Sequence, residues 1–222
     1  MTEGSRFHRA ERLSDAALHL LGLALALAAV PALVLLCVLR RGDAASVTAV
    51  TIYGISLLAM LSCSAIYNMT APGPRTAIYK RMDHSAIYLK IAGSYTPLVM
   101  LTGAGGPALL ALLWIAALGG SSLKIAAPDR LRGFGLMLYV GMGWTGVFLG
   151  GEMLAALDPE ARILVMTAGG LYTLGVPFFL WESLPFHRPI WHAFVFTASG
   201  LLYTAMYFEV ARVIDVGTLP IR

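Results

Sequence analysis

The chain has 222 residues, 58% of them hydrophobic and 13% charged, with mean hydropathy +0.76 and net charge +4. A soluble domain carries about a quarter charged residues, so this composition excludes a water-soluble globule and makes lipid the solvent. The basic excess lies in the connections, where it orients a membrane protein, and it calls for no nucleic-acid partner.

Seven apolar stretches, roughly 15–39, 45–68, 83–102, 106–125, 131–151, 161–182 and 189–212, are each long enough to cross a hydrocarbon core of about 30 Å as a helix. The first is too long for a signal-peptide core, and Pro31 within it leads to more apolar sequence, so it reads as an uncleaved span. Thr2 stands where myristoylation needs glycine. Cys37 and Cys63 fall inside the first and second spans without metal or redox spacing, and read as packing residues. Short connections follow: RRGD at 40–43, TAPGPRTAIYKR from 70, TGAGG at 102–106, APDR at 127–130, ALDPEAR at 156–162 and PFHRP at 185–189. Gly146 and Gly150 leave room for close helix approach, within or between subunits. The expectation is an all-α, polytopic membrane protein, a seven-transmembrane-helix bundle forming one domain over 1–222.

Lysine and arginine set the orientation. Ten of them fall on the N-terminal side of such a bundle: Arg6, Arg9, Arg12, Arg75, Lys80, Arg81, Lys124, Arg130, Arg132 and Arg188. The opposite side has five: Arg40, Arg41, Arg162, Arg212 and Arg222. The N-terminus is therefore expected in the cytoplasm and the C-terminus outside.

With that orientation, scattered polar residues come to one membrane face. Asp15 and His19 open the first span, Ser64 and Asn68 close the second, Asp83 and His84 open the third, and His192 lies in the first turn of the last. Interfacial capping would explain such a set, and so would a polar pocket. Ser64 and Asn68 are four apart and share a helix face. Asp83 and Lys90 are seven apart, which places Lys90 about 10 Å deeper. A lysine there costs up to about 2.5–3.5 kcal/mol unless it finds a partner. Pairing with Asp83 and binding of a ligand both remain open for it. His19 reads as an interfacial or packing residue, His8 as part of the basic N-terminal arm, and Glu209 as an interfacial carboxylate at the outer end, with a transport path the alternative.

Four stretches carry a family resemblance: ERLSDAALHLLG (11–22), SAIYNM (64–69), RMDHSAIYLKIAGSYTP (81–97) and LPFHRPIWHAFVF (184–196). Together they resemble the hemolysin III family of bacterial membrane proteins, within the group of progestin and adipoQ receptors. The resemblance implies seven helices with the N-terminus inside, in the bacterial inner membrane. It also implies a pocket near the cytoplasmic face that resembles a zinc site. Its imidazoles belong at positions 68, 188 and 192, with the carboxylate Asp83 beside them, and Ser64 opening the first motif. Asp83 and Ser64 are then the candidate catalytic pair, with Asp15, His19, His84 and Lys90 around the pocket. Wider relatives imply hydrolysis of lipid amides, and the family name implies cytolysis.

This chain departs from that pattern at two of the three ligand positions, which hold Asn68 and Arg188; His192 remains. An amide is a poor zinc ligand and a guanidinium has no acceptor. Zinc is thus expected to bind weakly or not at all, with His187 and Asp83 as substitute ligands, or Arg188 pairing with Asp83 in place of metal charge. Three functions follow: a membrane-homeostasis or lipid-sensing member with a degenerate pocket, an intramembrane metal-dependent lipid amide or ester hydrolase, or a small transporter, channel or cytolytic protein. Membrane lipids are the expected partners; oligomeric state is left open.

Overall fold

A computed structural model describes residues 3–126 and 132–212, with side chains described from residue 9 onward except at 132. The side chain of His8, the connection 127–130 and Arg222 lie outside that description. Among the described residues there is helix and no strand. The elements are α1 (Glu3–Arg40), α2 (Ala44–Met69), α3 (Thr76–Thr102), α4 (Gly106–Ala126), α5 (Arg132–Phe148), α6 (Gly151–Ala156), α7 (Pro159–Leu180) and α8 (His187–Ala211).

Five of these, α1, α2, α4, α7 and α8, are long and apolar enough to cross a membrane. The other two long helices depart from that pattern for identifiable reasons. α3 has 27 residues but includes Lys80, Arg81, Asp83 and Lys90. α5 is apolar but has 17 residues, about 25 Å at the helical rise. The side chains facing outward are those that lipid accepts: Phe148 is 77% exposed and Leu39 73%. In water such surfaces would drive aggregation. The chain is an all-α, multi-pass membrane protein.

Several boundaries move from the sequence reading. α1 begins at Glu3, well before the apolar stretch at 15, because arginines and glutamate are good helix formers. The segment from 70 was expected to be a connection as far as Arg81, yet helix α3 starts at Thr76. Its basic first turns carry the chain up to Asp83, where the third span had been expected to begin. The last stretch of the apolar run near 150 separates into the six-residue α6. Between α1 and α2, Asp43 caps α2, its carboxylate accepting from Ser46 N at 2.8 Å. That bond holds the Asp43 carboxyl below the usual carboxylate range.

α3 is the central helix. It packs on α2 and α4 and also touches α5, α6 and α8, while α1 closes against both α2 and α8, and α7 lies against α8. A near-continuous run from Lys90 to Leu101 on α3 is therefore buried, although few of its residues are strongly apolar. Gly93 permits the α2 contact: a Cβ there would stand 2.7 Å from Ser56 Cβ. Replacing Gly93 by leucine is expected to lower stability by about 1–3 kcal/mol through overpacking. Thermal unfolding in mild detergent checks this, and an unchanged melting temperature would show that the α2–α3 seam is soft.

On α5, the Tyr95 ring of α3 occupies the space beside Gly146, its hydroxyl donating to Gly143 O at 2.5 Å and accepting from Gly146 N at 3.0 Å. The small residue at 146 thus serves packing within the chain. α1 and α8 are joined along their length. His192 meets Asp15, Phe196 lies against Gly22, and Tyr203 Oη donates to Ala29 O at 2.9 Å. Residue numbers rise together along the seam, so the two helices run parallel. At its far end Glu209 is 1% exposed and accepts from Asp158 N at 2.6 Å, while its backbone oxygen accepts from Arg41 at 2.5 Å. Glu209 is thus a staple between α8, the start of α7 and the end of α1.

Candidate functional site

The parallel seam of α1 and α8 brings three titratable side chains together at one end of the bundle. Asp15 and His19 stand four residues apart on α1 and share a face. His192 comes from the second turn of α8. Asp15 Oδ1 and His192 Nδ1 are 2.6 Å apart, and Asp15 Oδ2 lies 3.7 Å from His19 Nε2. The two imidazoles meet edge to face with ring centres 4.4 Å apart. Phe196 closes the apolar side, 5.5 Å from the His19 ring. All three residues are buried, His19 to 1% exposure.

The hydrogen bonding of this group is incomplete. An ionised carboxylate only accepts, so with Asp15 ionised the short contact puts the proton on His192 Nδ1. That leaves the Nε2 lone pair of His192 available, the arrangement in which a carboxylate orients a ligating imidazole. Among the described residues, neither ring nitrogen of His19 has a hydrogen-bond partner. Buried polar atoms are nearly always satisfied, so an orphaned imidazole 1% exposed is a strong local anomaly. The nearest donor atoms of Asp15, His19 and His192 all lie within 4.8 Å of one another, as a shared metal ion needs. Two imidazoles and one carboxylate make a three-ligand set with an open fourth position, as in hydrolytic zinc sites. The residues present therefore fit a metal, through a donor set the sequence reading did not assemble.

Ser64, Asn68 and Asp83 form a second polar group where α2 meets α3. The half-buried Asp83 carboxyl lies within electrostatic reach of Ser64, His192 and Asp15. Asn68 Nδ2 turns back on its own helix, donating to Ser64 O at 3.0 Å and Ser64 Oγ at 3.3 Å. The amide is thus spent within α2.

Other residues singled out from the sequence lie elsewhere. Arg188 is exposed in the first turn of α8 and makes no ion pair with Asp83. The expected carboxylate–guanidinium pair does not form: Arg188 is exposed although its neighbour Pro189 is buried. His187 is half-buried at the start of α8 with Nδ1 unpartnered, and it is not among the clustered ligand atoms. His84 packs edge-on against Tyr67, 6.4 Å between ring centres. Lys90 does not reach back to Asp83; its ammonium donates to Tyr172 of α7. The sequence reading placed Asp15 and His19 at the pocket but took His19 for packing. The signal available was the Asp-x-x-x-His spacing; the missing half was His192, which only the α1–α8 contact supplies.

Comparison with known proteins agrees with the motifs. The family model described as haemolysin-III related matches residues 7–203. The chain belongs to the haemolysin-III related family. It is 34% identical over 214 residues to the Hemolysin-3 of Bacillus cereus, covering 95% of this chain and 96% of that protein. It is 33% identical over 207 residues to the Hemolysin-3 homolog of Bacillus subtilis (strain 168), covering 91% and 96%. The human monocyte to macrophage differentiation factor is 28% identical over 165 residues, 70% of this chain and 68% of that protein. Haemolysin-III relatives thus cover all four seam and pocket helices α1, α2, α3 and α8 as far as residue 203.

Proposed function

We propose that this haemolysin-III related chain is a single-domain, seven-span protein of the bacterial inner membrane, with a cytoplasmic N-terminus and a metal-dependent lipid hydrolase site at its cytoplasmic end. The observation that carries the reading is the Asp15–His19–His192 cluster, with His19 buried and unsatisfied on both nitrogens. Asp15 and His19 from α1 and His192 from α8 would hold the ion, zinc by donor type. A metal there supplies Lewis-acid polarisation of a lipid amide or ester carbonyl. Asp83, within electrostatic reach of His192 and Asp15, is the carboxylate that would take a proton from an attacking water. Phe196 and the packed α1–α8 seam keep bulk water from the apolar side.

The parallel course of α1 and α8 supports an odd number of crossings, with α3 and α5 completing the seven. α3 can cross despite its charges because they are enclosed by α2, α4 and α8 or lie in its first turns, where an interface accepts them. An alkaline phosphatase fusion after Arg222 is expected to be active, and a green fluorescent protein fusion there dark. The reverse pattern would overturn the orientation.

Elemental analysis of protein purified in mild detergent without added metal tests the centre. Zinc close to one per chain, with turnover of a fluorescent ceramide or ester analogue that a chelator abolishes, is the expected result. A second reading, lipid sensing without metal, is favoured by the short Asp15–His192 bond, which closes the cluster on itself. Metal-free protein that still folds and binds lipid would select that reading.

A further inference from the structure

A ligating histidine is ordinarily aimed by a hydrogen bond from its second ring nitrogen to a carboxylate, a carbonyl or water. His192 has such a partner in Asp15. His19 does not. Among the described residues neither of its nitrogens is bonded, and Asp15 Oδ2 stands 3.7 Å from Nε2, outside hydrogen-bond reach. Something other than a hydrogen bond fixes the plane of this ring.

The contacts that do so are aromatic. The His19 ring meets His192 with centres 4.4 Å apart and planes at 62°, and it meets Phe196 with centres 5.5 Å apart and planes at 89°. Phe196 also lies one turn beyond His192 on α8, its ring 6.3 Å from that imidazole and inclined to it by 29°. One benzene ring thus stands at right angles to the first imidazole and close to parallel with the second. Aromatic pairs favour such arrangements for electrostatic reasons, so a tilt of Phe196 disturbs both imidazoles at once.

Phe196 is itself seated. Gly22 stands three residues beyond His19 and shares its helix face. A Cβ at Gly22 would lie 3.1 Å from Phe196 Cδ1 and Cε1, closer than carbon atoms settle in contact. The ring reaches its depth beside His19 because residue 22 has no side chain. In sequence the device is Asp15-x-x-x-His19-x-x-Gly22 on α1 facing His192-x-x-x-Phe196 on α8.

We infer that Phe196, seated on Gly22, is the positioning residue of the Asp15–His19–His192 cluster. It holds the two imidazoles in the mutual orientation that a shared ion requires, and for His19 it takes the place of the missing hydrogen bond. Phe196 offers no ligand atom and acts through the two imidazoles. The inference rests on the metal reading proposed above and adds to it what aims the ligands.

Cobalt(II), whose visible absorption reports the geometry of its ligands, tests this in the full chain purified free of metal in mild detergent. The unaltered chain should bind cobalt at close to one per chain with a single defined spectrum. Phe196→Leu keeps the site apolar but removes the ring. It should lower cobalt affinity by about 10–100-fold, the range for losing a group that orients a ligand, and change the spectrum at saturation. Gly22→Ala, which displaces the ring, should change the spectrum with a smaller loss of affinity. Added to Phe196→Leu it should do nothing further, because the ring it displaces is gone. Tyr203→Phe removes the hydroxyl bond to Ala29 O from the same α1–α8 seam, and it should leave affinity and spectrum unchanged. Should Phe196→Leu not fold, Gly22→Ala measured against Tyr203→Phe decides the question. Unaltered affinity and spectrum in folded Phe196→Leu, or the same changes in Tyr203→Phe, would overturn the positioning role and leave the metal reading standing. No cobalt on the unaltered chain would overturn the metal reading and this inference with it.

Discussion

Replacing His19 by phenylalanine should lower zinc affinity by at least about tenfold while the protein stays folded. Altering a residue that merely orients a ligand already costs about 10–100-fold in affinity, and His19 offers its own nitrogens. Phenylalanine fills the space against Phe196 and beside the His192 ring, so the variant removes the lone pairs and keeps the packing. His19→Ala makes the complementary measurement. If His19 were only a packing residue, alanine would cost about 3–5 kcal/mol, as aromatic deletions in cores do, and zinc per folded chain would not change. The readout is zinc bound per monodisperse chain against free zinc, alongside the melting temperature. Unchanged zinc affinity in His19→Phe would remove His19 from the ligand set.

The sequence made the membrane character legible because lipid leaves its mark on composition: outward leucines, isoleucines and phenylalanines have no other explanation. It also showed that polar residues collect at one end of the bundle, since helix ends alternate sides from span to span. What it did not show was which of them touch. Asp15 and His192 are separated by 177 positions, and only the parallel packing of α1 on α8 makes them neighbours. Helical phase also misled at Arg188, at the start of α8: it stands one turn before buried His192, yet its side chain is exposed while the adjacent Pro189 is buried. The start follows Phe186, whose φ of 58° bends the chain into α8; a bulky residue in that left-handed region is uncommon, and composition gave no sign of it. Lys90 was marked as a problem by its depth alone. Its solution, Tyr172, comes from another helix 82 residues away.

The double variant Asn68→His with Arg188→His should make zinc binding independent of His19. Position 68 lies beside Ser64 and therefore near Asp83, and position 188 stands four residues before His192 on α8, the spacing at which two helical side chains can share one ion. With His192 the introduced imidazoles supply the three-nitrogen set that the family resemblance implies. A three-imidazole zinc site with one open position is intrinsically competent. Adding His19→Phe to this background should therefore leave zinc affinity unchanged, although the same change weakens it in the otherwise unaltered chain. His192→Ala should abolish binding in both backgrounds, because it belongs to either set. Two structural features work against the outcome: Asn68 faces its own helix, and Arg188 lies exposed. An imidazole at 68 has one N–H donor where the amide has two, leaving its other nitrogen free to ligate, and a neutral one at 188 has no charge to keep in water. If the triple variant loses zinc affinity as His19→Phe alone does, the end of α2 and the first turn of α8 stand too far apart to share an ion. The α1–α8 seam would then be the metal-competent part of this pocket.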